Sequence, residues 1–354
     1  MLWAVLMAGG TGTRFWPESR EHLPKQFLSL LGKETLIEQT CSRLKPLIPS
    51  SQVLVVTQHN KQKLVQKLLK DLKPWQIVGE PVGRNTAPCA VLAARLALEK
   101  DPQAVIALLP ADHLIRNEPV FRRALKAGNA MAVKTGLPVT FGIRPASAHT
   151  GYGYLEMGAQ EAHKGGFDFY RLKGFHEKPK PAKAKRYFSS GRFLWNSGMF
   201  IWKASALLEA AEKYLPESTA LADDIMAAGL QKGLARFYAK MPNISIDYAL
   251  MEPLKGHILT CPVDFGWSDV GSWESLREVH SSDKDGNITV GESLFLDSRD
   301  NIVKHRGKMV VLLGMQGHLV VDTPDALLVC PAEKTQEIRQ IVQELKNRKL
   351  HRYL

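Results

Sequence analysis

Residues 6–25 read L-M-A-G-G-T-G-T-R-F-W-P-E-S-R-E-H-L-P-K. The apolar run of residues 1–7 breaks into Gly9, Gly10 and Gly12, with Arg14 just beyond and Lys25 behind Pro24. Glycine lets a backbone turn sharply and come close to a ligand without a side chain in the way. Successive amide N–H groups in such a turn cradle anions. With Ala8 and Thr13 beside the glycines and two fixed cations close by, the stretch reads as a strand ending in a nucleoside-triphosphate site. Two commoner glycine loops are excluded: the dinucleotide fingerprint fails because Phe15 occupies its sixth position, and no Gly-Lys-Ser/Thr triplet closes a P-loop.

Outward from that stretch, apolar β-branched runs alternate with helical patterns. Residues 53–57 predict a strand, and Leu64, Val65, Leu68, Leu69 and Leu72 then recur on one helical face. A helix is expected over 87–98, a strand over 104–109, a helix over 119–133 and a strand over 139–143. Repeated strand–helix units predict an α/β domain over 1–282 with a Rossmann-like, mixed, mostly parallel sheet. Ligands of such sheets bind beyond the carboxyl ends of the strands, so the glycine loop and Asp112 should line one crevice. After the polar turn at 283–287, short apolar runs begin near Leu294, Ile302, Val310, Leu319 and Leu327. Their regular spacing predicts a small β-rich domain over 283–354, either a short β-solenoid or a barrel. Ile338, Ile341, Val342 and Leu345 form the stripe of a terminal helix.

Composition narrows the function classes. The 354 residues are 45% hydrophobic and 23% charged, as in globular proteins. No apolar run approaches the ~20 residues that cross a bilayer, so no membrane partner is expected. The N-terminal run lacks a preceding charged segment and leads straight into the glycine loop, which makes it a strand and not a signal peptide. Cys41, Cys89, Cys261 and Cys330 are far apart, which argues against a zinc site or disulfide framework and for a cytoplasmic location. The net charge of +12 is spread over helix faces such as Lys61, Lys63, Lys67 and Lys70 and over the tail at 346–352. No aromatics interleave with these charges, so they read as solvated faces and no nucleic-acid partner is expected.

The opening run and its continuation P-K-Q-F-L (24–28) resemble the signature of sugar-nucleotide pyrophosphorylases, in the mannose-1-phosphate guanylyltransferase branch. G-E-P-V-G-R-N-T-A-P (79–88), L-P-A-D-H (109–113), T-G-Y-G-Y-L-E (150–156), F-H-E-K-P (175–179) and W-N-S-G-M-F (195–200) match in the family's order. So do I-S-I-D-Y-A-L-M-E (244–252) and W-S-D-V-G-S-W (267–273). The resemblance implies magnesium-dependent transfer of GMP from GTP to mannose 1-phosphate, giving GDP-mannose and pyrophosphate. It also implies a left-handed β-helix at the C-terminus used in self-association, as a homodimer. Many relatives carry a further isomerase domain; with the chain ending at Leu354, a second activity is not expected. The rival expectations are a pyrophosphorylase for another base or hexose, and a non-catalytic sugar-nucleotide sensor. The sensor reading predicts loss of Arg14, Lys25 or Asp112, and all three are present.

Nucleotidyl transfer asks a protein for positioning and charge cancellation more than for covalent chemistry. Arg14 offers a planar fork to phosphate oxygens, and Lys25 a mobile point charge nearer the attacked phosphorus. Asp112, following a predicted strand, is suited to magnesium, which takes one or two carboxylates plus substrate phosphates. The resemblance adds Asp269 as a second metal carboxylate. Either Asp is otherwise a helix cap. His113 is read as supporting, since magnesium does not seek imidazole. Lys178 is expected at the phosphate of the sugar substrate. Glu177 and Asn196 suit vicinal hydroxyls, and Gly153 lets a sugar lie against the backbone. Without the resemblance, Asn196-Ser197-Gly198 reads equally as a turn before a strand. Asp247 is a support for the sugar pocket or a cap. Glu80 can accept from the guanine N1–H and amine, while Asn85 and Thr86 serve the base or cap the helix behind them.

Overall fold

The computed structural model describes residues 1–10, 12–30 and 32–354; Thr11, inside the glycine run, lies outside them. The chain builds two compact units that it enters more than once. The first comprises Met1–Gly9, Cys41–Ala111 and Ile115–Trp267; the second comprises Gly10–Thr40, Asp112–Leu114 and Ser268–Leu354. Gly10, Gly12 and Asp112 therefore belong to the same unit as the C-terminal β-rich segment.

The first unit is a mixed nine-stranded sheet flanked by helices. Four parallel strands, Ile77–Glu80, Val53–Gln58, Leu2–Ala8 and Val105–Pro110, make one side of it. Leu2–Ala8 is the pivot: Ala4 pairs with Val53 on one flank and with Ala107 on the other. Phe193–Lys203 runs antiparallel to Val105–Pro110 and carries the sheet on to Val139–Ile143, Leu259–Val263, Phe167–His176 and Tyr154–Lys164. Strands buried on both faces read as unbroken apolar runs, as Leu2–Ala8 and the first four residues of Val53–Gln58 do. The Ala-rich helix Thr86–Lys100 packs flat on the sheet, where small side chains allow a close approach.

Two details of the sequence reading change. The helix after the second strand covers only Gln62–Leu68, and Leu69 and Leu72 reach the core from the loop beyond it. Lys73-Pro74 follows, and the residue before a proline is pushed out of helical geometry. Lys61 is buried and so is no part of a solvated face, whereas Lys63, Lys67 and Lys70 are exposed.

In the second unit, Ile288–Val290, Ile302–Lys304 and His318–Asp322 stack in parallel, with Ile288 over Ile302 over Leu319. Ser293–Leu296 stacks in parallel on Val310–Leu313. Parallel stacking of successive coils is a solenoid pattern, not a barrel. Buried asparagines bond the coils together: Asn287 Oδ1 accepts from Asn301 Nδ2 at 2.9 Å, and Asn301 Oδ1 accepts from His318 N at 2.9 Å. Leu327–Pro331 closes the stack antiparallel to His318–Asp322.

The core of this unit joins the two ends of the sequence. Phe15, Trp16 and Leu28 pack with Val270, Trp273, Ile302, Ile338, Val342 and Leu354. The Phe15 and Trp273 rings lie 5.1 Å apart, and Trp273 Nε1 donates to Trp16 O at 3.2 Å. Trp16 Nε1 in turn donates to Tyr353 O at 2.8 Å. Lys304 and Glu18, both buried, form an ion pair at 2.8 Å. Because Trp273 is fully buried and holds the chain just after the glycine loop, Trp273→Ala should cost about 3–5 kcal/mol of unfolding free energy. Chemical denaturation checks this; a change below about 1 kcal/mol would refute the role given to the indole.

Candidate active site

In the second unit, a cavity of about 340 Å³ is lined by Gly12, Thr13, Arg14, Lys25, Asp112 and Asp269, among others. Gly12 makes the approach of its two walls possible. Its φ is +62°, and a Cβ there would fall 2.2 Å from Lys25 Cβ. Only glycine tolerates both the left-handed backbone and that contact. Lys25 is buried, and its Nζ donates to Asp112 Oδ2 at 3.0 Å and to Asp269 O at 2.6 Å. Arg14 Nη1 donates to Gly271 O at 3.4 Å. His113 Nε2 stands 4.0 Å from Asp112 Oδ1.

Burial alone would raise the Asp112 pKa. The Lys25 charge, His113 and the Lys25 hydrogen bond outweigh it and hold the carboxyl below its ordinary value. Asp112 is thus an ionised oxygen donor inside a cavity rimmed by cations. Among the described residues no group of three or more His, Cys, Asp or Glu is placed to hold a metal. Asp112 and Asp269, which both line this cavity, are oxygen donors of the kind that a divalent cation also bound by phosphates takes.

The remaining candidates, Gly10 apart, lie in the first unit. Ala8 O accepts from Thr57 Oγ1 at 3.0 Å, and Gly9 O accepts from Gln58 Nε2 at 3.3 Å, which fixes the strand end. A Cβ on Gly9 would lie 3.2 Å from Glu80 Oε2, so the first glycine of the run and Glu80 meet. Gly10, at the start of the second unit, has open space where a Cβ would stand. Glu80 is buried, and its Oε1 accepts from the hydroxyl of Tyr238, itself buried. Burial pushes the Glu80 carboxyl up to about 7, against the opposing pull of the Tyr238 hydrogen bond. Asn85 caps the helix Thr86–Lys100, its side chain accepting from Thr86 N at 3.0 Å. Thr86 Oγ1 accepts from Ile246 N at 2.9 Å and ties this helix to the segment ahead of Asp247.

A second polar group of the first unit gathers Gly153, Glu177, Lys178, Asn196 and Asp247. Asn196 Nδ2 donates to Asp247 Oδ1 at 2.9 Å, and Asn196 N donates to Gly153 O at 2.8 Å. A Cβ on Gly153 would lie 2.5 Å from Glu177 Oε2. Lys178 Nζ donates to Glu177 Oε1. Burial and the neighbouring Glu177 charge raise Asp247 to about 6. Burial would lower Lys178, but its pairing with Glu177 wins and raises it. Asp247 opens the π-helical turn Asp247–Met251, a form concentrated at functional sites.

Sequence reasoning missed three features. Tyr238 reaches Glu80 across 158 residues with no local signal. Tyr152 stacks on His149 at 4.2 Å and meets the Trp195 ring at 4.9 Å, in a cluster whose members flank Gly153 and Asn196; aromatics at motif edges were the available sign. Arg339 also lines the cavity of Lys25 and Asp112, from the far end of the chain.

Glu80 makes a pH prediction. Its folded pKa lies above the ordinary value of 4.5, so its contribution to stability is full below pH 4.5 and is lost as pH rises through about 7. Glu80→Gln should gain up to ~3 kcal/mol on the wild type between those limits and level off above them. Paired urea titrations from pH 4 to 8 measure the difference; a flat difference would overturn the assigned shift.

Residues 3–286 match the nucleotidyl transferase family model, and residues 291–345 match that of the MannoseP isomerase/GMP-like beta-helix domain. The chain is 38% identical to mannose-1-phosphate guanylyltransferase 2 of Escherichia coli O157:H7, over 99% of its own length and 75% of that protein's. It is 36% identical to the mannose-1-phosphate guanylyltransferase of Klebsiella pneumoniae, over 100% and 76%. A crystal structure from Thermus thermophilus, described as a mannose-1-phosphate geranyltransferase, superposes with a TM-score of 0.89 at 33% identity, covering 98% of this chain and 99% of that one. The chain belongs to the nucleotidyl transferase family, in its mannose-1-phosphate guanylyltransferase branch.

Proposed function

We propose that this protein transfers GMP from GTP to α-D-mannose 1-phosphate, forming GDP-mannose and pyrophosphate. The observation that carries the reading is the cavity that sets Arg14 and Lys25 beside Asp112 and Asp269. A phosphate oxygen of mannose 1-phosphate attacks the α-phosphorus of GTP, and the bond to the β-phosphate breaks with its electron pair on pyrophosphate. Arg14 holds phosphate oxygens, and Lys25, already fixed by Asp112 and Asp269 O, meets the charge that builds on the transferring group without having to reorganise. Asp112 and Asp269 would hold a divalent cation, which we assign as magnesium; when bound it withdraws negative charge from the phosphates. Glu80, Asn85 and Thr86 serve the guanine end, with Ala8, Gly9, Gly10, Gly12 and Thr13 along the nucleotide. Glu177, Asn196 and Gly153 serve the hexose, with Asp247 orienting Asn196 and Lys178 countering the sugar phosphate.

Release of pyrophosphate from GTP plus mannose 1-phosphate, with ATP, UTP and dTTP as comparisons, tests the reading directly. Lys25→Ala should lower kcat about 100- to 1,000-fold. Glu177→Gln should mainly raise KM for mannose 1-phosphate, because hexose hydroxyls are held alike in ground and transition states. Full kcat in Lys25→Ala, or a Glu177→Gln variant that weakens GTP instead, would sink these roles.

The protein works as a homodimer in this reading, in the cytoplasm, where its four free cysteines stay reduced. Support for self-association comes from paired strands of the second unit. Leu294 lies opposite Val311 and Leu296 opposite Leu313, and all four side chains are exposed. Contiguous exposed apolar surface of this kind marks an association site, and the same patch on two copies meets through a two-fold axis. Light scattering at micromolar concentration should show a dimer, and Val311→Asp with Leu313→Asp should yield a folded monomer. A monomeric intact protein would end this part of the proposal.

A further inference from the structure

Arg339 stands at the second position of the terminal helix Ile338–Asn347 and lines the cavity that holds Gly12, Arg14, Lys25 and Asp112. The helix is firmly placed. Ile338 and Val342 are buried with Phe15 and Trp16, and the helix lies against the turn Thr13–Phe15. Arg339 itself is exposed, and among the described residues it has no hydrogen-bond or ion-pair partner. The cavity's other cations are engaged: Lys25 with Asp112 and Asp269 O, Arg14 with Gly271 O. A cation fixed at its root, unneutralised and facing an anion-binding cavity is placed to meet a ligand's charge.

We propose that Arg339 binds the pyrophosphate portion of the nucleoside triphosphate and steadies it as the leaving group. The proposal rests on the guanylyltransferase reading above. In the transfer, the bond from sugar-phosphate oxygen to α-phosphorus forms while the bond from α-phosphorus to the bridging oxygen breaks. The electron pair stays on pyrophosphate, and no proton or redox partner enters. Lys25, buried beside Asp112, suits the transferring phosphorus. Arg339, exposed, suits the group that must depart to solvent, and its planar fork matches two phosphate oxygens at once.

The test is calorimetric titration of inorganic pyrophosphate with magnesium into the wild type, Arg339→Gln and Arg339→Lys. Loss of one charge-assisted pair should weaken pyrophosphate about 10- to 100-fold in Arg339→Gln, with partial recovery in Arg339→Lys. In the reverse reaction, KM for pyrophosphate should rise by a similar factor while KM for GDP-mannose stays put. Thermal melting should be unchanged, because the side chain is exposed. Wild-type affinity and KM for pyrophosphate in Arg339→Gln would overturn the assignment. If pyrophosphate binding falls as expected but the wild type makes no GDP-mannose from GTP, the proposed function fails and the Arg339 site stands.

Discussion

The contact on which the rest depends is the packing of Phe15 and Trp16 against Trp273. A glycine-rich loop has little side-chain volume to hold it in place, and its backbone freedom costs entropy to restrain. Here the loop is restrained from its far side. The Phe15 ring sits 5.1 Å from that of Trp273, whose Nε1 reaches Trp16 O, and Ile338, Val342 and Leu354 complete the same core. The C-terminal segment is thereby a structural support of the glycine loop. Removing it would strip the loop of its core.

Charge is organised with the same economy of contacts. Lys25 is buried, where an unpaired ammonium would be costly, and it answers that cost with Asp112 and the Asp269 carbonyl. The same pairing keeps Asp112 ionised despite burial. A buried pair of this sort is weak evidence for stability, because desolvation cancels much of the attraction. It is better evidence for preorganisation: the Lys25 side chain and the Asp112 carboxylate are fixed against each other inside the cavity before any ligand enters.

Much of this was legible in the chain, and the reasons are local. Runs such as those ending at Ala8 and Pro110 are apolar because both faces of a parallel strand are covered, so their ends, and the loop residues behind them, could be read directly. Gly12 showed its role through its residue type alone. What stayed hidden was set by distant packing. The burial of Lys61, the partnership of Tyr238 with Glu80 and the place of Arg339 in the lining of the cavity that holds Lys25 have no periodic or compositional trace. The β-rich end is intermediate: spacing announced short strands, but only the register of Ile288 over Ile302 over Leu319 distinguishes stacked coils from a barrel.

The backbone is strained beside some of the candidate site residues. Asn85, Lys178 and Val270 hold positive φ of 65°, 41° and 46°. Such conformations cost on the order of 1–3 kcal/mol each for a non-glycine residue, and a β-branched valine is the least tolerant. Each adjoins a candidate site residue: Thr86 follows Asn85, Glu177 precedes Lys178 and Asp269 precedes Val270. The surroundings hold the strain in place. Val270 is fully buried in the core of Trp273, with its N–H bonded to Ser268 Oγ at 3.2 Å. A residue of positive φ reverses the chain within one position, so it can turn the neighbouring side chain out of the regular path of a strand or turn. Local propensity yields at these three positions beside candidate site residues, and it yields as well at Asp297, Asp300 and Lys349 of the second unit, so positive φ here marks tight chain reversal of either kind.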